Sequence, residues 1–367
     1  MSGEVQEMSG GFCLLHTRNT RGWAGACFAL TLLFGIAGCG TSSVARNSLS
    51  GAAAESAAAA AASQPILGYA WDSSRAGLRA MLGVPGAASL SNSVVTKESF
   101  SSAVLCLRKS YALLTNSAGS VYVMSLPSGE PLLVAPQLVA GEQVTVSPSC
   151  SKALVYARGA STGVLIGGLP STPEVQSLNF AAPGSIVGAA VGDLGDVALA
   201  ILRADGSTAT QLLSSSGSLS APLSILQRYG AMTFVPGGDT VLVADSGANK
   251  VWMLSQPSTN PTSVQLASSG DGVSQPLAIA SSADGHEAFV ANGIGVPLLR
   301  LDLVSTSAPA KVPCACRPSE LVPLSGNVFQ VSDLSSGTIY ALDGSPATPR
   351  TVFIPAGGLV SLSGAAQ

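Results

Sequence analysis

Charge is what this 367-residue chain has least of. Lysine, arginine, aspartate and glutamate make up 10% of it, against about 25% in an average soluble protein. The formal charge is -3, and no basic run is longer than Arg108-Lys109. That excludes a nucleic-acid surface, which needs clustered cations facing phosphates. Histidine is nearly absent. His16 sits ahead of a leader-like apolar run, and His286 sits in the turn-like stretch Ala283-Asp284-Gly285-His286-Glu287. One surface-turn histidine nearly excludes His-based zinc chemistry and Ser-His-Asp triads. No phosphate loop, nucleophile elbow or metalloprotease signature is present. Aromatics are 5%, while glycine and proline together number 63. Mean hydropathy is nonetheless +0.43, and apolar runs recur regularly beyond residue 64, which argues against disorder there.

The one long uncharged apolar run is near the start. Residues 23–38 follow Arg18 and Arg21, the form of a secretory signal. At 16 residues the run is short of the roughly 20 that span a bilayer comfortably. It ends in Ile36-Ala37-Gly38-Cys39, which resembles the lipobox of bacterial lipoproteins. The resemblance implies cleavage before Cys39, lipidation of its thiol and acylation of the new N-terminus. It also implies outer-membrane sorting, since Gly40 and not aspartate follows. The expected organisation is a signal peptide at 1–38, a lipidated Cys39 with an Ala/Ser-rich tether to 64, and one domain from 65 to 367. Multiple acyl chains give stable membrane attachment. The tether, with Ala57 to Ala62 in a row, has no patterned face to bury.

The rest of the chain is largely one unit repeated. Val241-Leu242-Val243-Ala244-Asp245 and Val251-Trp252-Met253-Leu254 read as two strands around a Ser-Gly-Ala-Asn turn. The same six-residue step from a strand-closing residue to an apolar opener recurs from Asp72, Arg158, Asn292 and Asp333. Asn116 has one residue fewer, and the unit at Arg203 is degraded. Spacings between these seven anchors are 44, 42, 45, 42, 47 and 41. A period near 43 made of strand formers predicts propeller blades, because solenoids of that period are helical. The fold class is therefore all-β: a single β-propeller of seven four-stranded blades. The first unit starts at its anchor strand and lacks an innermost strand. One surplus strand, Gly358 to Ser363, remains at the other end. Pairing the two closes the ring and removes the open sheet edges.

VLVADSGANKVWML (241–254) is similar to the NHL consensus, and AFVANGIGVPLLRLDL (288–303) to the YVTN pattern. The resemblance implies the fold and hardly any function, since such families include binding scaffolds, lyases and lactonases. The NHL-type lyases rely on several metal-binding histidines that this chain lacks. The tryptophan-based docking motif of quinone-cofactor propellers is missing too.

Candidate residues fall into three sets. Recurrent Asp72, Asp245 and Asp333 cap tight turns through a side-chain oxygen; the alternative is a Ca²⁺ ligand ring of the lactonase kind. Besides Cys39, four exported cysteines remain. Cys106 ends the innermost strand of blade two and Cys150 follows that of blade three, which suits a disulfide between neighbouring blades. Cys314-Ala315-Cys316 leaves a small disulfide, a metal site and free thiols open. Finally, the loops entering the innermost strands meet at the channel mouth. They carry Glu98, Glu142, Gln143, Arg228, Tyr229, Gln275, Arg317 and Glu320, a mixed polar ring suited to peptide or glycan contact.

Two functions follow from different classes. The first is a monomeric, non-catalytic, lipid-anchored envelope scaffold without cofactor, binding a protein, peptide or glycan. The second is a metal-dependent lactonase-like hydrolase using channel carboxylates.

Overall fold

A computed structural model describes residues 64–94, 100–136, 142–305, 307–334 and 338–355. The expected signal, Cys39 and all of the tether but Gln64 lie outside the described residues. Seven antiparallel sheets follow one another along the chain as the blades of a β-propeller. Blade 1 is β1 (Ile66–Asp72), β2 (Gly77–Val84) and β3 (Ala87–Val94). Blade 2 is β4 (Ser102–Cys106), β5 (Tyr111–Thr115), β6 (Val121–Ser125) and β7 (Leu132–Ala135). Blade 3 is β8 (Glu142–Val146), β9 (Ala153–Ala157), β10 (Thr162–Gly167) and β11 (Glu174–Asn179). Blade 4 is β12 (Ser185–Val191), β13 (Val197–Leu202), β14 (Thr208–Leu213) and β15 (Ser224–Leu226). Blade 5 is β16 (Tyr229–Phe234), β17 (Thr240–Asp245), β18 (Lys250–Ser255) and β19 (Thr262–Ala267). Blade 6 is β20 (Pro276–Ser281), β21 (Glu287–Asn292), β22 (Leu298–Asp302) and β23 (Ala310–Val312). Blade 7 is β24 (Val322–Pro323), β25 (Val328–Gln330), β26 (Ile339–Asp343) and β27 (Arg350–Ile354).

Residue chemistry tracks position within a blade. Second strands read as unbroken apolar runs, such as Val197-Ala198-Leu199-Ala200-Ile201, all buried. A strand covered on both faces by neighbouring blades has no solvent side to alternate with. Fourth strands are mostly exposed, as in Glu174–Asn179 and Thr262–Ala267. The organising hairpin pairs Val243 with Trp252, Ala244 with Val251 and Asp245 with Lys250.

Neighbouring blades are joined by shared cores and by single polar links. Phe234, Val241 and Val243 of blade 5 pack with Ala198, Ala200 and Leu212 of blade 4. Phe289 of blade 6 meets Phe329 of blade 7 at 5.2 Å between ring centroids. The buried Tyr156 hydroxyl of blade 3 accepts the Ala189 N–H of blade 4 at 3.0 Å. Ser149 N–H donates to Asp193 across the same boundary, and Ala283 N–H to Asn327 between blades 6 and 7.

Blade 1 has three strands among the described residues, and the expected closing strand at 358–363 lies outside them. What is described of the closure is packing. Leu67, Ala70, Met81 and Leu90 share a core with Leu324, Val328, Ile339 and Ile354 of blade 7. Ser325 N–H donates to Leu67 O and Leu90 N–H to Pro355 O, each at 3.1 Å. The first strands β4 and β24 of the two flanking blades also touch.

Candidate functional site

The turns after the second strands are built by their anchor residues, and in blades 5 and 6 the anchors also hold the loops that lead into the first strands. The Asp245 carboxylate is 2% exposed. It accepts N–H groups from Gly247 and Ala248 of its own turn, each at 3.0 Å. It also accepts those of Gln227 at 2.9 Å and Arg228 at 3.1 Å, in the loop entering β16. Asn292 repeats the device in blade 6, accepting from Ser274 N–H at 3.0 Å and donating to Gly272 O and Val296 O. Asn116 caps Ala118 and Ser120. Asp72 accepts from Ser74 and Arg75 and faces the buried Arg79 at 3.4 Å. Burial works to raise the Asp72 pKa, but the hydrogen bonds of Ser74, Arg75 and Arg79 outweigh it and hold the carboxyl below its ordinary value. These carboxylates are occupied by backbone and arginine donors, as turn capping requires.

Of the mouth residues, Glu98 and the side chain of Glu142 lie outside the described residues. Gln143, Arg228, Gln275 and Arg317 are exposed at the entries to β8, β16, β20 and β24. Arg228 is steered by its Nε, which donates to Ser246 Oγ at 3.1 Å. Gln275 sits at φ +47 and is pinned by Asn249 Oδ1, which accepts its N–H at 2.7 Å. Two local groups form. In one, the Tyr229 ring lies against Gly188, where a Cβ would overlap it. Its phenol is pushed up by burial and by the nearby Tyr156, with Arg158 acting the other way. In the other, Gln330 Nε2 donates to Glu320 Oε1 at 2.6 Å. Burial raises the Glu320 carboxyl, opposed by the Gln330 bond and reinforced by the charge of Asp333.

Tyr156, Arg158 and Gln330 are the partners that sequence reasoning missed. One signal pointed to Arg158: an arginine at an anchor position where five of the other six blades place Asp or Asn. Tyr156 and Gln330 are embedded in second strands and carried no signal.

Two cavities are found elsewhere. One of about 310 Å³ lies beside β1, lined by Ile66 to Tyr69, Leu107, Arg108, Ser110, Leu126, Pro127 and Leu324 to Gly326. It sits at the turns between first and second strands, the opposite end of the blades from the mouth loops. The second, about 400 Å³, lies between Ser220–Leu223 and Leu254–Ser263. Neither is lined by a carboxylate, histidine or cysteine. Among the described residues, no three of His, Cys, Asp and Glu gather where a metal ion could be held. No helix among them is long and apolar enough to cross a membrane. His286 is exposed in its turn, 3.6 Å from Asp284.

The four cysteines form two unlike disulfides. Cys106 and Cys150 are joined across blades 2 and 3 with Cα atoms 5.9 Å apart, and both are buried. The Tyr111 hydroxyl donates to Cys150 O at 2.9 Å beside them. Cys314 and Cys316 are joined across a single residue, with Cα atoms 5.1 Å apart. Chain-entropy arguments assign the 44-residue link about 4 kcal/mol and the two-residue link less than about 2 kcal/mol.

No protein-family model and no curated protein sequence matches the chain. Solved structures do resemble its fold. A functionally unknown protein from Desulfotomaculum acetoxidans is 15% identical, with 80% of this chain on all of that one at TM-score 0.50. A Lactobacillus plantarum protein is 13% identical, covering 80% and 96% of the two chains at 0.51. Kuenenia stuttgartiensis hydrazine synthase is 12% identical, covering 74% and 91% at 0.53. At such identities the likeness shows the fold alone.

Proposed function

We propose that this chain is a non-catalytic binding scaffold of the NHL/YVTN propeller kind, held in the cell envelope by a lipid on Cys39. It would present the loops that enter the first strands to a protein, peptide or glycan partner. One observation carries this reading. Asp245 and Asn292 fix the loops that enter β16 and β20, Asn249 pins Gln275, and Arg228, Gln275 and Arg317 of the entry loops stay exposed. A rigid frame that displays varied polar side chains serves recognition.

The test is cross-linking in the native membrane followed by purification of the full chain. A specific partner should be recovered with the intact protein and lost from a variant carrying Arg228→Glu and Arg317→Glu. Equal recovery from both would overturn the assignment of the mouth. For the anchor, Cys39→Ser should abolish incorporation of a labelled fatty acid and release the chain from membranes.

A second reading, lactonase-like hydrolysis with a bound divalent ion, draws on the half-buried Glu320, whose carboxyl is raised as that of a general acid or base is. Elemental mass spectrometry of protein purified without chelator separates the two. A stoichiometric ion lost in Glu320→Gln favours hydrolysis.

A further inference from the structure

The two disulfides differ in burial, in span and in place in the fold. Cys106–Cys150 is buried, joins two blades and closes a long stretch of chain. Cys314–Cys316 spans one residue, is half-buried, and lies in the loop between β23 and β24. A link across so short a span constrains the unfolded chain little, so the fold gains little by keeping it closed. Solvent access makes a disulfide labile, and this pair, which rests against the blade 6–7 core, is only partly covered where Cys106–Cys150 is fully buried. The sequence Pro313-Cys314-Ala315-Cys316-Arg317-Pro318 places a proline on each side, fixing φ at both shoulders. The loop ends are tied down too. Thr351 Oγ1 donates to Pro313 O at 3.0 Å, and Ser319 N–H donates to Val331 O at 2.9 Å. Opened thiols would therefore stay close to one another and could close again. Arg317, exposed, follows Cys316 directly in the chain, and a cation close to a thiol favours its thiolate.

We infer that Cys314–Cys316 is a reversible thiol–disulfide exchange site that accepts electrons from an exposed dithiol. This does not depend on the scaffold reading. An incoming thiolate attacks Cys314 Sγ and breaks the Cys314–Cys316 bond, and Cys316 leaves as the thiolate that Arg317 favours. The donor's second thiolate then attacks its own sulfur in the mixed disulfide, which releases Cys314. The donor dithiol ends as a disulfide, having lost two electrons and two protons. Cys314 and Cys316 end as two thiols.

The test uses the full chain purified without reductant and held in mixtures of reduced and oxidised glutathione. Free thiols are capped with N-ethylmaleimide under acid quench, and the cysteine peptides are weighed. Capping of Cys314 and Cys316 should rise with the proportion of reduced glutathione while Cys106 and Cys150 remain joined. Cys316→Ser should carry one glutathione on Cys314, and Arg317→Ala should open several-fold more slowly. The proposal is overturned if the pair stays closed at every ratio in the folded protein. It is equally overturned if the pair opens only together with Cys106–Cys150, or is already reduced on purification.

Discussion

Replacing Asp245 tests whether the recurrent carboxylates are structural. Its two oxygens accept four backbone N–H groups, two from the turn after β17 and two from the loop into β16. A bond to a charged acceptor is worth about 1.5–3 kcal/mol, so complete loss of all four sets a ceiling of roughly 6–12 kcal/mol. The ceiling will not be reached, because Arg228 and the turn are open enough for water to re-solvate part of what truncation leaves. Asp245→Ala should therefore cost about 3–5 kcal/mol. For a domain this large that lowers the melting temperature by roughly 5–8 °C. Asp245→Asn keeps one oxygen but points an NH₂ at a donor, and should cost about 1–2 kcal/mol. The assay is denaturant unfolding followed by circular dichroism and by the fluorescence of Trp71 and Trp252. The two probes must coincide before a free energy is taken. An alanine variant within about 0.5 kcal/mol of wild type would refute the capping role. So would a chelator that destabilises wild type as much as the substitution does, since that pattern belongs to a metal ligand.

Three further outcomes are expected. Replacing Cys106 and Cys150 together by alanine should cost about 4 kcal/mol by denaturant unfolding, against less than about 2 kcal/mol for the Cys314 and Cys316 pair. The Asp72 carboxyl is held below its ordinary value in the fold, so the stability it contributes is present above the unfolded value and lost as pH falls through the folded one. Acid unfolding should accordingly show Asp72→Asn losing less stability than wild type below about pH 4, while at neutral pH the variant is weaker by about 3 kcal/mol because Arg79 is left buried without its counter-charge. Glu320 has the opposite sign, its pKa being raised by burial. The fold then penalises its ionised form above the folded value and is relieved as pH falls. Thermal unfolding should find Glu320→Gln more stable than wild type at neutral pH, with the difference closing towards the ordinary carboxylate range.

The repeat was legible because the feature that recurs is a turn, and a turn has local chemistry. Asp245 or Asp72 must stand where a side-chain oxygen can reach N–H groups two and three residues on, and an apolar strand must resume after it. That requirement survives even where the rest of a unit diverges. The same anchor rule gives the chain positions of the loops that enter the first strands without saying which side chains meet there. Tyr229 finds Tyr156 and Arg158 across blade boundaries, and Glu320 finds Gln330 within blade 7. Those meetings depend on how whole sheets pack, and a residue such as Gln330, inside a buried strand, looks like any other strand residue until its neighbour is placed. The disulfides divide in the same way. Cys106 and Cys150 could be paired because the period sets the end of one innermost strand beside the turn that follows the next. For Cys314 and Cys316, adjacency in sequence left every outcome open. The loops that enter the first strands are thus held by readable turns, while the surroundings of their side chains come from contacts within and between blades. A change at Asp245 should alter how firmly its loop is held, and, on the proposed function, a change at Arg228 or Arg317 should alter binding.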